Sequence, residues 1–213
     1  MSHRQTQIAR NNHRRLLDAA ARLFRAKGYA ATGIRDLSRA LRMETASLYH
    51  YMDGKEGLLY EIARRSQEDL AAAVAPIVVS DRPPLEKVRS LMTTHMTIVL
   101  RDRDKYAVLL SELKALSPRR RAAIVRLRDA YERMVDHVLA EGQGCGVLRT
   151  DVPVRYLRLA LLNLLNWSIY WYRPNGPLTP EALAAVLSAV FLDGARARRS
   201  VRRSLTGTST SGK

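Results

Sequence analysis

Residues 32–51 read TGIRDLSRALRMETASLYHY, and this stretch carries the strongest structural signal in the chain. Apolar residues recur at helical spacing at Ile34, Leu37 and Leu41, which predicts a short second helix with Thr32 as its N-cap. A three-residue turn at 42–44 then precedes a third predicted helix at 45–51. Two short helices joined by such a turn have the geometry of a helix-turn-helix, whose second helix enters the major groove of DNA.

The face of these helices that points away from the first helix carries hydroxyls, a small residue and ring donors. Such groups suit phosphates and base edges. A lysine opening the fourth helix adds an ammonium beside free backbone N–H groups, which can bind a further phosphate. The alternative to DNA contact is core packing for Tyr49 and ordinary solvent exposure for His50. Arg39 is expected to be a solvated helix residue rather than a DNA contact. The predicted DNA-contacting residues are Thr32, Arg35, Thr45, Ala46, Ser47, Tyr49, His50 and Lys55.

Charge is distributed unevenly along the 213 residues, which carry 36 Lys and Arg against 20 Asp and Glu. Residues 1–55 have 11 basic and 4 acidic side chains, and residues 195–213 have 6 basic and none acidic. The 139 residues between them carry 19 basic and 16 acidic side chains. A basic head on a nearly neutral body is typical of a nucleic-acid-binding protein, and the balanced middle argues against a general excess of arginine.

Helical periodicity continues on both sides of this motif, and no segment alternates as a strand would. The nine expected helices make the fold all-α, with a three-helix DNA-binding head and a larger helical body. We expect a helix-turn-helix domain at residues 1–54, a ligand-binding and dimerisation domain at 55–199, and a disordered basic tail at 200–213. Besides the two short helices, the predicted spans are 12–27, 55–75, 85–101, 104–116, 118–141, 153–172 and 180–196.

The head resembles the TetR family of one-component repressors. The residues that carry this resemblance are LDAAARLF at 17–24, KGYAAT at 27–32 and ASLYHYMDGKEGLL at 46–59, so that it covers about the first 60 residues. It implies a homodimer that binds a palindromic operator in double-stranded DNA and has a C-terminal pocket through which a small-molecule effector controls release.

Two positions depart from the pattern of this family. Arg42 stands where the family usually has glycine in the turn, and Glu44 stands where a serine usually caps the recognition helix. A non-glycine residue in a left-handed conformation is strained, and glutamate is a poorer N-cap than serine. The sequence therefore predicts a slightly strained turn that still joins the two helices in helix-turn-helix geometry.

A second distinctive stretch, NLLNWSIYWYRPNGPLT at 163–179, resembles TetR-type regulators of fatty-acid and sterol catabolism. Many of those regulators respond to acyl-CoA thioesters, so the resemblance implies an effector of that class. The alternative for the aromatic cluster is packing between the last two helices, where dimerisation is expected. Asn163 and Asn166 lie on an otherwise apolar helix, and a buried amide needs hydrogen-bond partners.

Apolar stripes in the middle helices are candidates for the lining of the effector pocket, although ordinary core packing is the alternative. Three arginines at 119–121 lie at a helix N-terminus, the unfavourable end of the helix dipole for cations. They indicate either an anion site, for example for CoA phosphates, or a solvated run. The predicted ligand-binding residues are Met92, Met96, Tyr106, Leu110, Met134, Asn163 and Trp167. The residues expected to be exposed for dimerisation are Ala160, Leu161, Ala185, Ala189 and Val190.

Other classes of protein receive little support from the sequence. It has no nucleophile elbow and no glycine-rich phosphate loop, and His95, His137 and Glu112 form only a weak catalytic or metal-binding candidate. We therefore expect no enzyme, no cofactor and no metal. A non-specific binder of nucleic acid or anionic membranes remains the alternative, driven by charge, and activation of transcription remains an alternative to repression.

Two further features bear on where the protein acts. No stretch approaches the roughly 20 uncharged apolar residues that a membrane-spanning helix needs, so no membrane association is expected. The only cysteine, Cys145, excludes an internal disulfide and fits a reducing cytoplasm.

Overall fold

The helical periodicity of the sequence becomes an all-α fold in the computed structural model, which describes the backbone of residues 3–196 and the side chains of residue 7 and residues 11–196. The predicted tail at 200–213 and the predicted end of the second domain at 199 lie outside these residues. The helices are α1 His3–Lys27, α2 Ile34–Leu41, α3 Thr45–Leu48, α4 Gly54–Val78, α5 Pro84–Arg101, α6 Arg103–Ser111, α7 Pro118–Gly144, α8 Val154–Asn166, α9 Ser168–Trp171 and α10 Pro180–Ala195.

The first three helices pack around side chains that their apolar periodicity places inward. Phe24 of α1, Leu37 of α2 and Leu48 of α3 are all buried. Gly28, with φ +84°, ends α1 and donates its N–H to the Phe24 carbonyl, as glycine does at helix C-termini.

The predicted N-cap of α2 is wrong by one residue. The cap is Gly33, whose backbone N–H donates to the Asp36 carboxylate at 2.9 Å. The Thr32 hydroxyl faces α1 instead, where it donates to the Gly28 carbonyl at 2.8 Å and lies 3.3 Å from the Leu23 carbonyl. Thr32 thus fastens the end of α1.

The long helix α4 connects the head to the body, because it packs against α1 and also against α5, α6 and α7. The predicted end of this helix at residue 75 is wrong, since α4 continues through Pro76 to Val78. Pro76 lies in the last turn and is exposed, as is Ala72. The single backbone hydrogen bond that proline removes, to the carbonyl four residues earlier, is therefore lost where water can replace it.

Two of the predicted helices are interrupted. The one predicted at 104–116 ends as α6 at Ser111 and continues as a 3₁₀ turn, Leu113–Ala115. The one predicted at 153–172 divides into α8 and α9 at Trp167, where the Ser168 hydroxyl donates to the Leu165 carbonyl at 2.6 Å. A serine that bonds back to its own helix competes with the backbone ladder and bends it. The nine predicted helices thus become ten α-helices and one 3₁₀ turn in the described chain.

The core of the body forms where α7 packs on α4 and α5, and where α10 packs on α5 and α8. Ser117 and Thr179 are the N-caps of two helices that begin with a proline. None of the helices described between residues 3 and 196 combines the length and apolar character that crossing a membrane requires.

Candidate functional site

The turn between α2 and α3 has the two unfavourable features that the sequence predicts, a strained backbone and a poor N-cap. Arg42 adopts a left-handed conformation, φ 53° and ψ 44°, and is the only residue other than glycine with a positive φ in the described chain. Glu44 occupies the N-cap of α3 and makes no capping hydrogen bond with its side chain. Regular α-helix ends at Leu48 rather than at Tyr51, and a further turn closes through the Tyr51 N–H to the Leu48 carbonyl at 2.9 Å.

Six of the eight predicted DNA-contacting residues reach the surface of the head. Arg35, Ala46, Tyr49 and His50 are exposed, and Thr45 and Ser47 are partly exposed. Tyr49 is 58% exposed, which excludes core packing as its main role. Arg39 is also exposed, as expected for a solvated residue.

The other two predicted contacts are engaged inside the protein. The Thr32 side chain is only 1% exposed, so the prediction that it contacts DNA is contradicted by its burial against the end of α1. The Lys55 ammonium donates to the carbonyls of Tyr29 at 3.0 Å and Ala30 at 3.4 Å, and lies 4.4 Å from the centre of the Tyr29 ring. Since an ammonium has three N–H donors, these two carbonyls leave one N–H of Lys55 without a hydrogen-bond acceptor among the described residues.

A set of polar contacts that sequence reasoning missed holds the turn after α3 in place. His13 of α1 donates from Nδ1 to the Tyr51 carbonyl at 2.9 Å, and its Nε2 lies 3.1 Å from a carboxylate oxygen of Glu61 in α4. Burial opposes ionisation of Glu61, but hydrogen bonds from His13 and Arg65 lower the pKa of this carboxyl below its ordinary value. The turn that follows α3 is therefore hydrogen-bonded to α1 and is linked through His13 to α4.

A second missed feature joins the start of α4 to the start of α7. The Arg120 guanidinium lies 2.5 Å from the Asp53 carboxylate and 3.6 Å from that of Glu56. Glu56 also accepts the backbone N–H of Ser117 at 2.9 Å. The partners are 61 and 67 residues apart along the chain, so no local pattern could show this joint.

This joint corrects the interpretation of the three arginines at 119–121 as one anion site. The acidic partners of Arg120 at α4 explain how an arginine is tolerated at the N-terminus of α7, because they compensate the unfavourable helix dipole. Arg119 and Arg121 are exposed, in agreement with the solvated alternative.

The predicted ligand-binding residues do not converge on one site. Met92 and Met96 are fully buried in the core, and Tyr106 is buried with its hydroxyl donating to the Ser66 carbonyl at 2.7 Å. Met134 is half-buried. The remaining three, Leu110, Asn163 and Trp167, lie at the surface.

Of the two asparagines on α8, only Asn166 has the buried role that was expected. Asn163 is exposed and needs no internal partner. The Asn166 side-chain oxygen accepts from Nε2 of His95 at 3.2 Å, and the Tyr131 hydroxyl donates to Nδ1 of the same ring at 2.8 Å. Burial lowers the pKa of His95 to about 4, against the opposing effect of the Asn166 hydrogen bond, so this histidine is neutral at pH 7.

The weak metal or catalytic candidate does not assemble in the structure. His137 is exposed on α7, whereas His95 is buried among α5, α7 and α8. Across the part of the chain that the structure describes, no group of three or more His, Cys, Asp and Glu side chains is arranged to hold a metal ion.

Two stretches of the chain match known protein families. Residues 16–62 match the bacterial regulatory proteins of the tetR family, and residues 81–195 match the tetracyclin repressor-like C-terminal domain. The chain belongs to the TetR family. This TetR-family protein is a DNA-binding transcriptional repressor and not an enzyme.

Individual relatives match this chain over most of its length and of their own. The repressor is 32% identical over 181 residues to the HTH-type transcriptional repressor KstR2 of Rhodococcus jostii (strain RHA1), with 84% of this chain and 88% of that protein covered. The structure of the ketosteroid transcriptional regulator KstR2 of Mycobacterium tuberculosis superposes with a TM-score of 0.82 at 28% identity, covering 88% and 96% of the two chains. AibR in complex with isovaleryl coenzyme A and operator DNA gives 0.75 at 27% identity, covering 84% and 96%.

Proposed function

We propose that this repressor is a homodimer that binds a palindromic operator through its two heads, and that it releases the operator when a small hydrophobic effector binds the body. We propose an acyl-CoA thioester as the class of effector. The observation that carries the proposal is the outward position of Arg35, Tyr49 and His50 on a basic helix-turn-helix head. These side chains can donate hydrogen bonds to phosphates and base edges.

The proposed DNA interface is the exposed surface of α2 and α3 together with the free donor of Lys55. Tyr49 and His50 lie in the turn that follows α3, where their rings can donate to the phosphate backbone. Ala46 leaves space for close approach to the bases. Thr32 is left out, because its hydroxyl is used within the head. The full set is Arg35, Thr45, Ala46, Ser47, Tyr49, His50 and Lys55.

The proposed dimer interface is the outer face of α8, α9 and α10. Among the described residues, eight of the eleven exposed large apolar side chains lie between Tyr156 and Val190, and such a concentration marks an interaction surface. Two helices from each protomer would pack as a four-helix interface. The predicted members Ala160, Ala185, Ala189 and Val190 are exposed, whereas Leu161 is buried within the protomer because it faces the core side of α8.

Support for the effector class comes from the aromatic segment at 163–179 and from two relatives. AibR binds isovaleryl coenzyme A, and KstR2 of Mycobacterium tuberculosis is a ketosteroid regulator. The buried pair Met92 and Met96 has flexible side chains that can repack around an apolar ligand. An acyl chain entering the body would have to displace them.

We propose that α4 carries the signal from the body to the head. The two recognition helices must lie about 34–36 Å apart to enter successive major grooves, and α4 sets this distance because it connects the two domains. The Arg120 joint fixes the start of α4 against α7. An effector acts only through its difference in affinity for the two poses of α4.

Fluorescence anisotropy on duplex DNA from upstream of its own gene, with unlabelled competitor DNA, tests DNA binding. We expect His50→Ala to weaken specific binding about tenfold, as for one lost DNA contact worth roughly 1–3 kcal/mol. His137→Ala is the matched control, because it also removes an exposed histidine but from α7. Equal loss in both variants would contradict the proposed interface.

The same assay with a panel of acyl-CoA thioesters tests the effector. Release by one chain-length class supports the proposal and identifies the ligand. Specific binding that no thioester changes removes the acyl-CoA class and leaves the repressor. Binding that competitor DNA abolishes contradicts sequence-specific operator recognition, because charge-driven binding does not distinguish sequences.

A further inference from the structure

A cleft of about 410 Å³ lies where the head meets the body. Its walls come from the second half of α1, from the junction of α5 and α6 around Asp102, and from Pro174 after α9. This volume falls within the range of about 300–1,000 Å³ that is typical of small-molecule sites. The predicted effector residues Met92 and Met96 do not line it.

The lining of this junction cleft has an excess of positive charge. Five cations and three carboxylates face it. Each carboxylate already has a cationic partner: Asp104 pairs with Arg25 at 2.6 Å, Asp18 pairs with Lys105 at 2.8 Å, and Asp102 pairs with both Arg101 and Lys105. Arg22 and Arg103 form no ion pair with a carboxylate among the described side chains.

Arg103 is held in a geometry suited to an anion. Its Nε donates to the Ile169 carbonyl at 2.6 Å, which fixes the plane of a half-buried guanidinium. The two terminal nitrogens are left for an external acceptor. Burial and the neighbouring Arg25 lower the pKa of Arg103, against the opposing effect of Asp104.

We propose that the junction cleft binds a small molecule carrying a phosphate or pyrophosphate group. Arg103 supplies a fixed fork, and planar guanidinium groups bind phosphate oxygens in pairs. Exposed Arg22, across the cleft on α1, supplies a second cation. Arg25 becomes a third if the anion replaces Asp104. The ligand therefore contacts the head through α1 and the body through α6. This site goes beyond the proposed function and does not depend on it.

Isothermal titration calorimetry with inorganic pyrophosphate tests the site on the full chain without DNA, with NaCl added to keep the ionic strength constant. We expect saturable binding that Arg103→Gln weakens about tenfold or more, since each charge-assisted hydrogen bond contributes strongly. Arg126→Gln is the matched control, because Arg126 is an exposed arginine on α7 outside the cleft. It should leave the affinity unchanged.

A second variant, Asp104→Asn, is expected to change the affinity for pyrophosphate in the opposite direction. This result does not depend on whether Arg103→Gln folds. Loss of this carboxylate frees Arg25 and removes a negative charge, so pyrophosphate should bind several-fold more tightly. The proposal is overturned if pyrophosphate gives no saturable heat, if Arg126→Gln and Arg103→Gln weaken binding equally, or if Asp104→Asn weakens it. Operator binding measured without pyrophosphate tests the proposed function separately.

Discussion

Arg42 shows how one residue can strain a local structure that the rest of the chain maintains. Its left-handed conformation ends α2 and turns the chain toward α3. This conformation costs a residue with a Cβ atom roughly 1–2 kcal/mol, whereas glycine adopts it without strain. The turn persists because Leu37, Leu41 and Leu48 bury the two helices against α1.

We expect Arg42→Gly to raise the free energy of unfolding by about 1 kcal/mol, because it removes this strain. Arg39→Gly is the control: Arg39 is exposed within α2 in ordinary helical geometry, and glycine there should lower stability by about 1 kcal/mol. Urea unfolding followed by circular dichroism, without DNA and at one protein concentration, measures both. Shifts in the same direction would show that the conformation of Arg42 is not strained.

His95 predicts a specific dependence of stability on pH. The ordinary pKa of histidine is 6.5, and in the folded protein burial lowers the pKa of His95 to about 4. Between these values the unfolded chain binds a proton that the folded protein excludes. Acidification through this window therefore favours unfolding, and His95 contributes a loss of about 3 kcal/mol by the time the pH reaches 4.

His95→Gln isolates this contribution, because glutamine does not titrate. The variant is expected to be less stable than the wild type at pH 7, since Tyr131 and Asn166 lose well-placed partners. The difference between the two proteins should shrink as the pH falls from 7 to 4. Urea midpoints measured across this range test it, and a constant difference would mean that His95 is not the group responsible.

At the scale of elements, the end of α7 depends on a glycine for packing rather than for its backbone conformation. A Cβ atom added at Gly142 would lie 2.7 Å from Cδ1 and 2.8 Å from Cγ of Leu148, a fully buried side chain. The backbone N–H groups of Val147 and Leu148 donate to the Gly142 carbonyl, both at 3.0 Å. The chain therefore folds back directly onto this glycine.

Gly142→Ala should lower the free energy of unfolding by about 1–3 kcal/mol, because overpacking shifts a well-packed core. Gly144→Ala, two residues further along the same helix, has no atom within 4 Å of the added Cβ and should be neutral or slightly stabilising. Thermal unfolding of the two variants separates the effects. If they melt at the same temperature, the contact with Leu148 is not important.

At the scale of the whole molecule, dimerisation through α8–α10 predicts that a charge on the exposed apolar face separates the protomers. Val190 is 62% exposed in the protomer, and a carboxylate buried there without a partner would cost several kcal/mol. We expect Val190→Glu to be a folded monomer. Val79→Glu is the control, because Val79 is 81% exposed at the end of α4 and lies away from this face.

Sedimentation velocity at micromolar concentration distinguishes these outcomes, and circular dichroism confirms that both variants are folded. The wild type and Val79→Glu should sediment as dimers. A dimeric Val190→Glu would place the interface elsewhere. Because a palindromic operator requires two heads, the monomeric variant should also lose most of its specific DNA affinity.

Local patterns in the sequence determined the all-α class, the helix-turn-helix and most of its outward-facing residues. These follow from spacings of three and four residues, which one helix face sets without help from the rest of the chain. The strained Arg42 and the weak cap at Glu44 were predictable for the same reason. The family resemblance rests on the same local stretches of the head.

Only the tertiary structure decided which polar groups meet. The Thr32 side chain is buried against α1. Arg120 forms ion pairs with carboxylates more than 60 residues away in the sequence, and Asn166 rather than Asn163 forms a hydrogen bond with His95. The continuation of α4 through Pro76 depended on solvent exposure of its last turn. The junction cleft required α1, α5 and α6 to come together. Such pairings depend on how helices pack over long sequence separations, and a single sequence encodes them only through the complete fold.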